Sequence, residues 1–163
     1  MPEENPPLRP LIPGITAQFP QDVTVLPRRK DMLAVLKVTP ARVAEVAKYL
    51  RDVGSFEHCA LVSGVDWVDH LEVLYHLWSD SLKGYIELTV DLPSEDPHVP
   101  SVTEIWRGAN WHERETWDML GVRFDGHPDL RRVLMPEGYQ FHPLRKSFEL
   151  HEPEELEVKA RHV

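Results

Sequence analysis

The chain has a single cysteine, Cys59, among its 163 residues. An intramolecular disulfide is therefore excluded, and so is an iron–sulfur or zinc site built from several thiolates of this chain. Cys59 lies in the apolar run Cys59, Ala60, Leu61, Val62, where a buried, inert thiol is expected rather than a reactive one. There is no apolar run of about 18 residues, so no membrane-spanning helix is expected. Four motifs are also missing. Without Gly-x-Gly-x-x-Gly or Gly-x-x-x-x-Gly-Lys-Ser/Thr, no loop is marked for cradling nucleotide phosphates. Without His-Glu-x-x-His or Gly-x-Ser-x-Gly, neither a zinc protease helix nor a hydrolase nucleophile elbow is indicated.

Proline and charge are abundant. Residues 1–21 contain Pro2, Pro6, Pro7, Pro10, Pro13 and Pro20. Proline supplies no amide donor, so an extended leader is expected over 1–21. The opening residues have neither the basic start nor the apolar stretch of an export signal, and the expected location is the cytoplasmic side. Net charge is −9, distributed as +1 over residues 1–30, −7 over 31–110, zero over 111–148 and −3 over 149–163. An acidic chain is a poor partner for nucleic acid. The neutral segment holds six acids and six bases, a composition suited to pairing with another charged surface.

Periodicity defines a domain over residues 22–120. Val23–Leu26 and Met32–Val38 read as strands, the second almost wholly apolar and therefore central. Thr39 and Pro40 read as the start of a helix with an apolar stripe of Val43, Val46, Ala47, Leu50 and Val53, closed by Gly54. Three strands follow, at 57–68, 71–80 and 84–92. In the last, Ile86, Leu88 and Val90 alternate with Tyr85, Glu87 and Thr89, the pattern of a half-buried strand. Ser101 and Glu104 have capping-box spacing for a short helix. A second helix is expected over Trp111–Leu120, ended by Gly121, with Arg114 and Asp118 paired four residues apart. Trp106, Trp111 and Trp117 are expected in the core. The fold class is α+β, a mixed or antiparallel sheet with helices on one face, followed over 121–163 by an extended docking arm and an acidic tail.

Two chemistries fit the helix and arm. Glu115, Asp118 and His112 could form an acid–base site of a stand-alone enzyme. Alternatively, the charges of the arm answer those of another polypeptide. His127 and His142 each precede proline and suit fixed hydrogen bonding better than metal ligation. Arg131, Arg132, Arg145 and Lys146 are too few in an acidic chain to indicate a nucleic-acid patch, whereas arginine suits bidentate pairing at interfaces.

The run from Glu113 to Lys146 closely resembles the characteristic motif of the hydrophilic C subunit of bacterial respiratory complex I, the proton-pumping NADH:quinone oxidoreductase. The J subunit of the photosynthetic complex belongs to the same family. The matching positions are Glu113, Arg114, Glu115, Trp117, Asp118, Met119, Gly121, Phe124, His127, Pro128, Leu130, Arg132, Pro143, Leu144, Arg145 and Lys146. They span 34 residues, about a fifth of the chain. It departs from the family pattern at Phe141, where glycine is usual, and at Ser147, where aspartate is usual.

The resemblance implies a cofactor-free structural subunit, non-catalytic itself, in the peripheral arm of a complex that couples NADH oxidation by quinone to proton translocation. It implies docking through those motif residues onto the large quinone-site D subunit and neighbouring iron–sulfur subunits. No catalytic, cofactor-binding or metal residue is expected in this chain. Iron–sulfur clusters, FMN and quinone would reside in partners, and membrane attachment would be peripheral and indirect. An equivalent subunit of a ferredoxin-, F420- or hydrogenase-linked complex would carry the same motif.

Overall fold

The computed structural model describes residues 8–149. Helix α1 (Leu8–Gln18) leads into β1 (Val23–Leu26) and β2 (Met32–Val38). A short 3₁₀ turn then precedes α2 (Val43–Asp52). Strands β3 (His58–Asp66), β4 (His70–Ser79), β5 (Gly84–Pro93) and β6 (His98–Pro100) follow, then α3 (Ala109–Leu120) and β7 (Arg123–Asp125). Five strands form one sheet in the order β1-β2-β5-β4-β3. All neighbours are antiparallel except β2 and β5, which run parallel. The short β6 and β7 pair in parallel, tying the start of the arm to the loop before α3.

One face of the sheet carries the core. Leu71, Val73, Tyr75 and Leu77 of β4 stand opposite Leu92, Val90, Leu88 and Ile86 of β5, and all are buried. The stripe Val43, Val46, Ala47 and Leu50 of α2 joins this cluster, with Leu120 of α3 and Trp106. Each fully buried aliphatic side chain contributes about 1.5–3 kcal/mol, so this face drives folding.

Several expectations are corrected. The leader is not extended where it is described, because α1 passes through Pro13. Leu11, Ile15 and Phe19 recur every four residues and are buried, and Phe19 meets Tyr49 edge-on at 6.1 Å. Their burial outweighs the hydrogen bond that Pro13 forgoes. Residues 1–7 of the leader and 150–163 of the tail lie outside the described residues.

No helix forms at Ser101–Glu104. The Ser101 hydroxyl is committed to Glu113 at 2.6 Å, and the segment is a series of turns. Val53 is exposed, and Ser55 rather than Gly54 takes the left-handed conformation after α2 (φ 57°). Strand β5 is buried on both faces. On its second face Glu87 is covered and accepts hydrogen bonds from Arg29 (3.1 Å) and His76 (2.9 Å), with Thr89 buried beside it.

Candidate functional site

The motif helix α3 ends as its sequence requires. Gly121 is left-handed (φ 77°) and its amide closes on the Trp117 carbonyl at 2.8 Å. A β-carbon there would come within 2.7 Å of the His142 ring, so the arm lies directly over the helix end. The helix seats on edge strand β3 at another glycine. A β-carbon on Gly64 would stand 2.5 Å from Leu120.

Asp118 is the centre of the arrangement. Its side chain is fully buried. Oδ2 accepts the backbone amides of Val133, Leu134 and Met135 at 2.9, 2.8 and 3.0 Å. Oδ1 accepts Arg132 Nη1 at 2.5 Å. The Arg132 guanidinium lies between the rings of Trp117 and Tyr139, 5.4 and 5.6 Å from their centres. Burial pushes the Asp118 carboxyl up, but three amides and the arginine outweigh it and hold it below its usual 3.8.

Helix α3 leaves its last carbonyls without intrahelical partners, and its C-terminal end carries partial negative charge. The arm meets these carbonyls one after another. His142 Nδ1 donates to the Asp118 carbonyl at 3.0 Å. The Leu144 amide donates to Met119 at 3.0 Å, and Arg145 Nε to Leu120 at 2.5 Å. Arg145 Nη1 continues to the Ser94 carbonyl at 3.0 Å, and the Lys146 amide reaches Asp66 Oδ2 at 3.0 Å. The segment His142 to Lys146 is thus a helix cap that also pins the β3–β4 and β5–β6 connections.

The first half of the motif is held just as closely. Glu113 points inward, accepting Ser101 Oγ and the Val102 amide (2.8 Å). Burial raises its carboxyl to about 7, the two hydrogen bonds opposing the rise. The same interior lifts the Cys59 thiol to about 12, through burial first and Glu113 second. Arg114 is also buried. It donates to the carbonyls of Arg131 (3.2 Å) and Arg132 (3.4 Å), with its guanidinium 4.7 Å from the Trp111 ring centre. The expected Arg114–Asp118 pair does not form, because each has a longer-range partner in the arm. His127 Nε2 donates to the Asn110 carbonyl at 3.3 Å, while its Nδ1 accepts the Asp129 amide at 3.0 Å. That pattern fits a neutral ring, and burial lowers its pKa.

Most of the arm's charged side chains have partners within this chain. Glu113, Arg114, Asp118, Met119 and Phe124 are buried, and Arg132, His142 and Arg145 find partners inside the chain. Leu130 packs partly against the core. Glu115, Pro128, Leu144 and Lys146 remain at the surface, with Pro143 partly covered. Trp106 is buried and Trp117 partly so, but Trp111 is 62% exposed, against the expectation for a core residue. An acid–base pair of Glu115 and Asp118 is not assembled, since both Asp118 oxygens are occupied. Among the described residues, no three His, Cys, Asp or Glu side chains gather where they could hold a metal ion. Sequence reasoning missed Asp66 and Ser94, which anchor the arm from 80 and 51 residues away in the chain. No local signal marks contacts of that range.

Fold and site together define a mixed-sheet α+β domain whose motif-bearing arm is clasped over its own last helix. The chain belongs to the family described as respiratory-chain NADH dehydrogenase, 30 Kd subunit, whose model matches residues 36–154. It is 46% identical over 121 residues to the C subunit of the NADH-quinone oxidoreductase of Salinispora tropica, covering 71% of this chain and 49% of that one. It is 45% identical over 119 residues to a C subunit of the Rhizobium meliloti enzyme, covering 69% and 64%. For the C subunit of Roseiflexus castenholzii the identity is 47% over 118 residues, covering 69% and 68%. The matched region thus spans about half to two thirds of these relatives. Among solved structures, a trypsin-resistant fragment of Nqo5 superposes with a TM-score of 0.65 at 26% identity, covering 76% of this chain and 99% of the fragment. A chain of an archaeal membrane-bound sulfane sulfur reductase shares the fold, with a TM-score of 0.75 at 19% identity, covering 94% and 93%.

Proposed function

We propose that this chain is a structural subunit of an NADH:quinone oxidoreductase, one that carries no cofactor and holds its neighbours in place. The family match over residues 36–154 carries the reading, because it includes the whole clasp. The geometry supports it. Asp118, one of the three groups that could have done acid–base work, is used to fix the arm on α3, which makes a rigid surface rather than a reaction site. Electrons then pass from NADH to quinone through cofactors in other subunits, and this chain sets the distances and angles between them. Among the described residues no helix is long and apolar enough to cross a membrane. In this reading attachment to the membrane runs through partners. Glu115, Pro128, Leu144 and Lys146 are the exposed motif members that contact a neighbour directly. The buried members act by holding that surface in shape.

The test is affinity purification of the tagged full chain from its own membranes, with identification of the accompanying polypeptides and assay of NADH:quinone reduction. Co-purification with flavin- and iron–sulfur-containing chains, and loss of membrane NADH:quinone activity on deletion of the gene, are expected. A chain recovered alone, or a deletion that leaves this activity intact, refutes the reading. Flavin-free companions would point to an electron donor other than NADH.

A further inference from the structure

The β3–β4 hairpin ends in a tip the clasp does not account for. Val68 has a positive φ of 80°. For a β-branched residue this backbone is strained, and glycine or asparagine would adopt it more easily. The Val68 side chain recovers nothing from the fold, because it is 68% exposed. Trp67 beside it is 51% exposed.

The surroundings hold this conformation firmly. Asp66 Oδ1 accepts the Val68 amide at 2.7 Å, while its Oδ2 accepts the Lys146 amide. Ser94 Oγ donates to the Val68 carbonyl at 3.2 Å, and Ser94 is itself held by Arg145. Trp67 Nε1 donates to Glu72 at 3.0 Å, its ring stacks on His70 at 6.4 Å, and Lys146 Nζ lies 5.9 Å from its centre. The last residues of the family motif thus brace an apolar knob that contributes nothing to the core.

We propose that the Trp67–Val68 tip is an anchor that inserts into an apolar, basic-rimmed pocket on a neighbouring subunit. The inference rests on the reading under Proposed function. Tryptophan held rigidly at low entropic cost is the residue type that dominates binding energy at protein interfaces. The rim decides the partner's charge. Asp69 is largely exposed, Glu95 and Asp96 follow Ser94 at the surface, and these three acids outnumber Lys146, the base over the Trp67 ring. Acids so placed repel an anionic lipid surface and favour a pocket edged with arginine or lysine.

The test uses the full chain in its native membranes. A photo-crosslinking benzoylphenylalanine at position 68 is expected to give a light-dependent adduct with a different polypeptide of the purified complex. An adduct with lipid alone, with a second copy of this chain, or none at all overturns the proposal. In parallel, Val68→Gly relieves the strained backbone, so the purified chain should melt no lower than wild type. Trp67→Ala combined with Val68→Gly should release from the complex at least about tenfold faster. Wild-type release rates in that variant overturn the anchor while leaving the subunit assignment intact. A wild-type chain that enters no complex overturns the assignment, and the anchor with it.

Discussion

Replacing Asp118 with asparagine tests the clasp at its centre. The carboxylate accepts four hydrogen bonds, three from consecutive arm amides and one from Arg132. An asparagine of the same shape has one acceptor oxygen. If that oxygen faces the amides, its NH₂ opposes the Arg132 guanidinium. If it faces Arg132, the NH₂ opposes three amides. Either orientation leaves buried donors unmatched and the Arg132 charge without its counter-ion. Hydrogen bonds to a charged group contribute about 1.5–3 kcal/mol each, but they share one carboxylate and do not add. Breaking a buried ion pair from one side costs about 3–5 kcal/mol, and we take that range.

With a urea dependence of about 2 kcal/mol per molar, the unfolding midpoint should fall by roughly 1.5–2.5 M. Trp117, beside Arg132, reports the transition by fluorescence. The effect has a defined pH window. The folded-state pKa of Asp118 lies below its unfolded 3.8. The part of the wild-type advantage that ionisation carries is therefore present above the unfolded value and is lost as pH falls through the folded one. Glu115→Gln on the exposed face of the same helix should change stability by less than about 0.5 kcal/mol. A loss below about 1 kcal/mol for Asp118→Asn at pH 7 would mean that the clasp is no stronger than a surface ion pair, and the reasoning would fail.

Four further outcomes are expected. Glu113 ionises near 7 in the fold and near 4.5 when unfolded, so it costs stability progressively from pH 4.5 to 7 and by ~3 kcal/mol at most above that. Glu113→Gln, which can keep both hydrogen bonds, should flatten wild type's pH–stability curve over that window; a curve of unchanged slope would contradict the burial argument. Gly121→Ala meets both a positive φ and the His142 ring, and should lower stability by about 1–3 kcal/mol in chemical denaturation. Arg145→Ala frees the carbonyls of Leu120 and Ser94 and should cost about 1.5–3 kcal/mol, with faster amide exchange at Trp67 and Val68. Cys59, with its thiol near 12, should react with a thiol reagent at pH 8 at least about tenfold more slowly in the folded chain than in urea.

Much of the sheet was legible in the residues alone. The apolar run Met32–Val38 is an internal strand, and Gly84–Pro93 forms where alternation placed it. The stripe of α2 and the glycine ending α3 need only local rules, since i, i+4 spacing and a left-handed cap are properties of neighbours in sequence. Local rules failed wherever a distant group supplied a better partner. Proline argued against α1 until Leu11, Ile15 and Phe19 found a core to enter. The Ser101 hydroxyl, suited to capping a helix, bonds Glu113 twelve residues on. Glu87 read as the solvent side of β5, yet Arg29 and His76 cover it from two other segments.

The sequence by itself determined the family, because residue identities at fixed spacing from Glu113 to Lys146 are a local pattern that needs no coordinates. It also determined the period of most strands and of α2. Only the tertiary structure decided what the motif residues do. A carboxylate or guanidinium takes its role from whichever group lies within 3 Å of it, and for Asp118, Arg132 and Arg145 those groups are 14 to 51 residues away along the chain. The direction in which a charged side chain points, inward to a clasp or outward to a neighbour, is fixed by packing and not by composition.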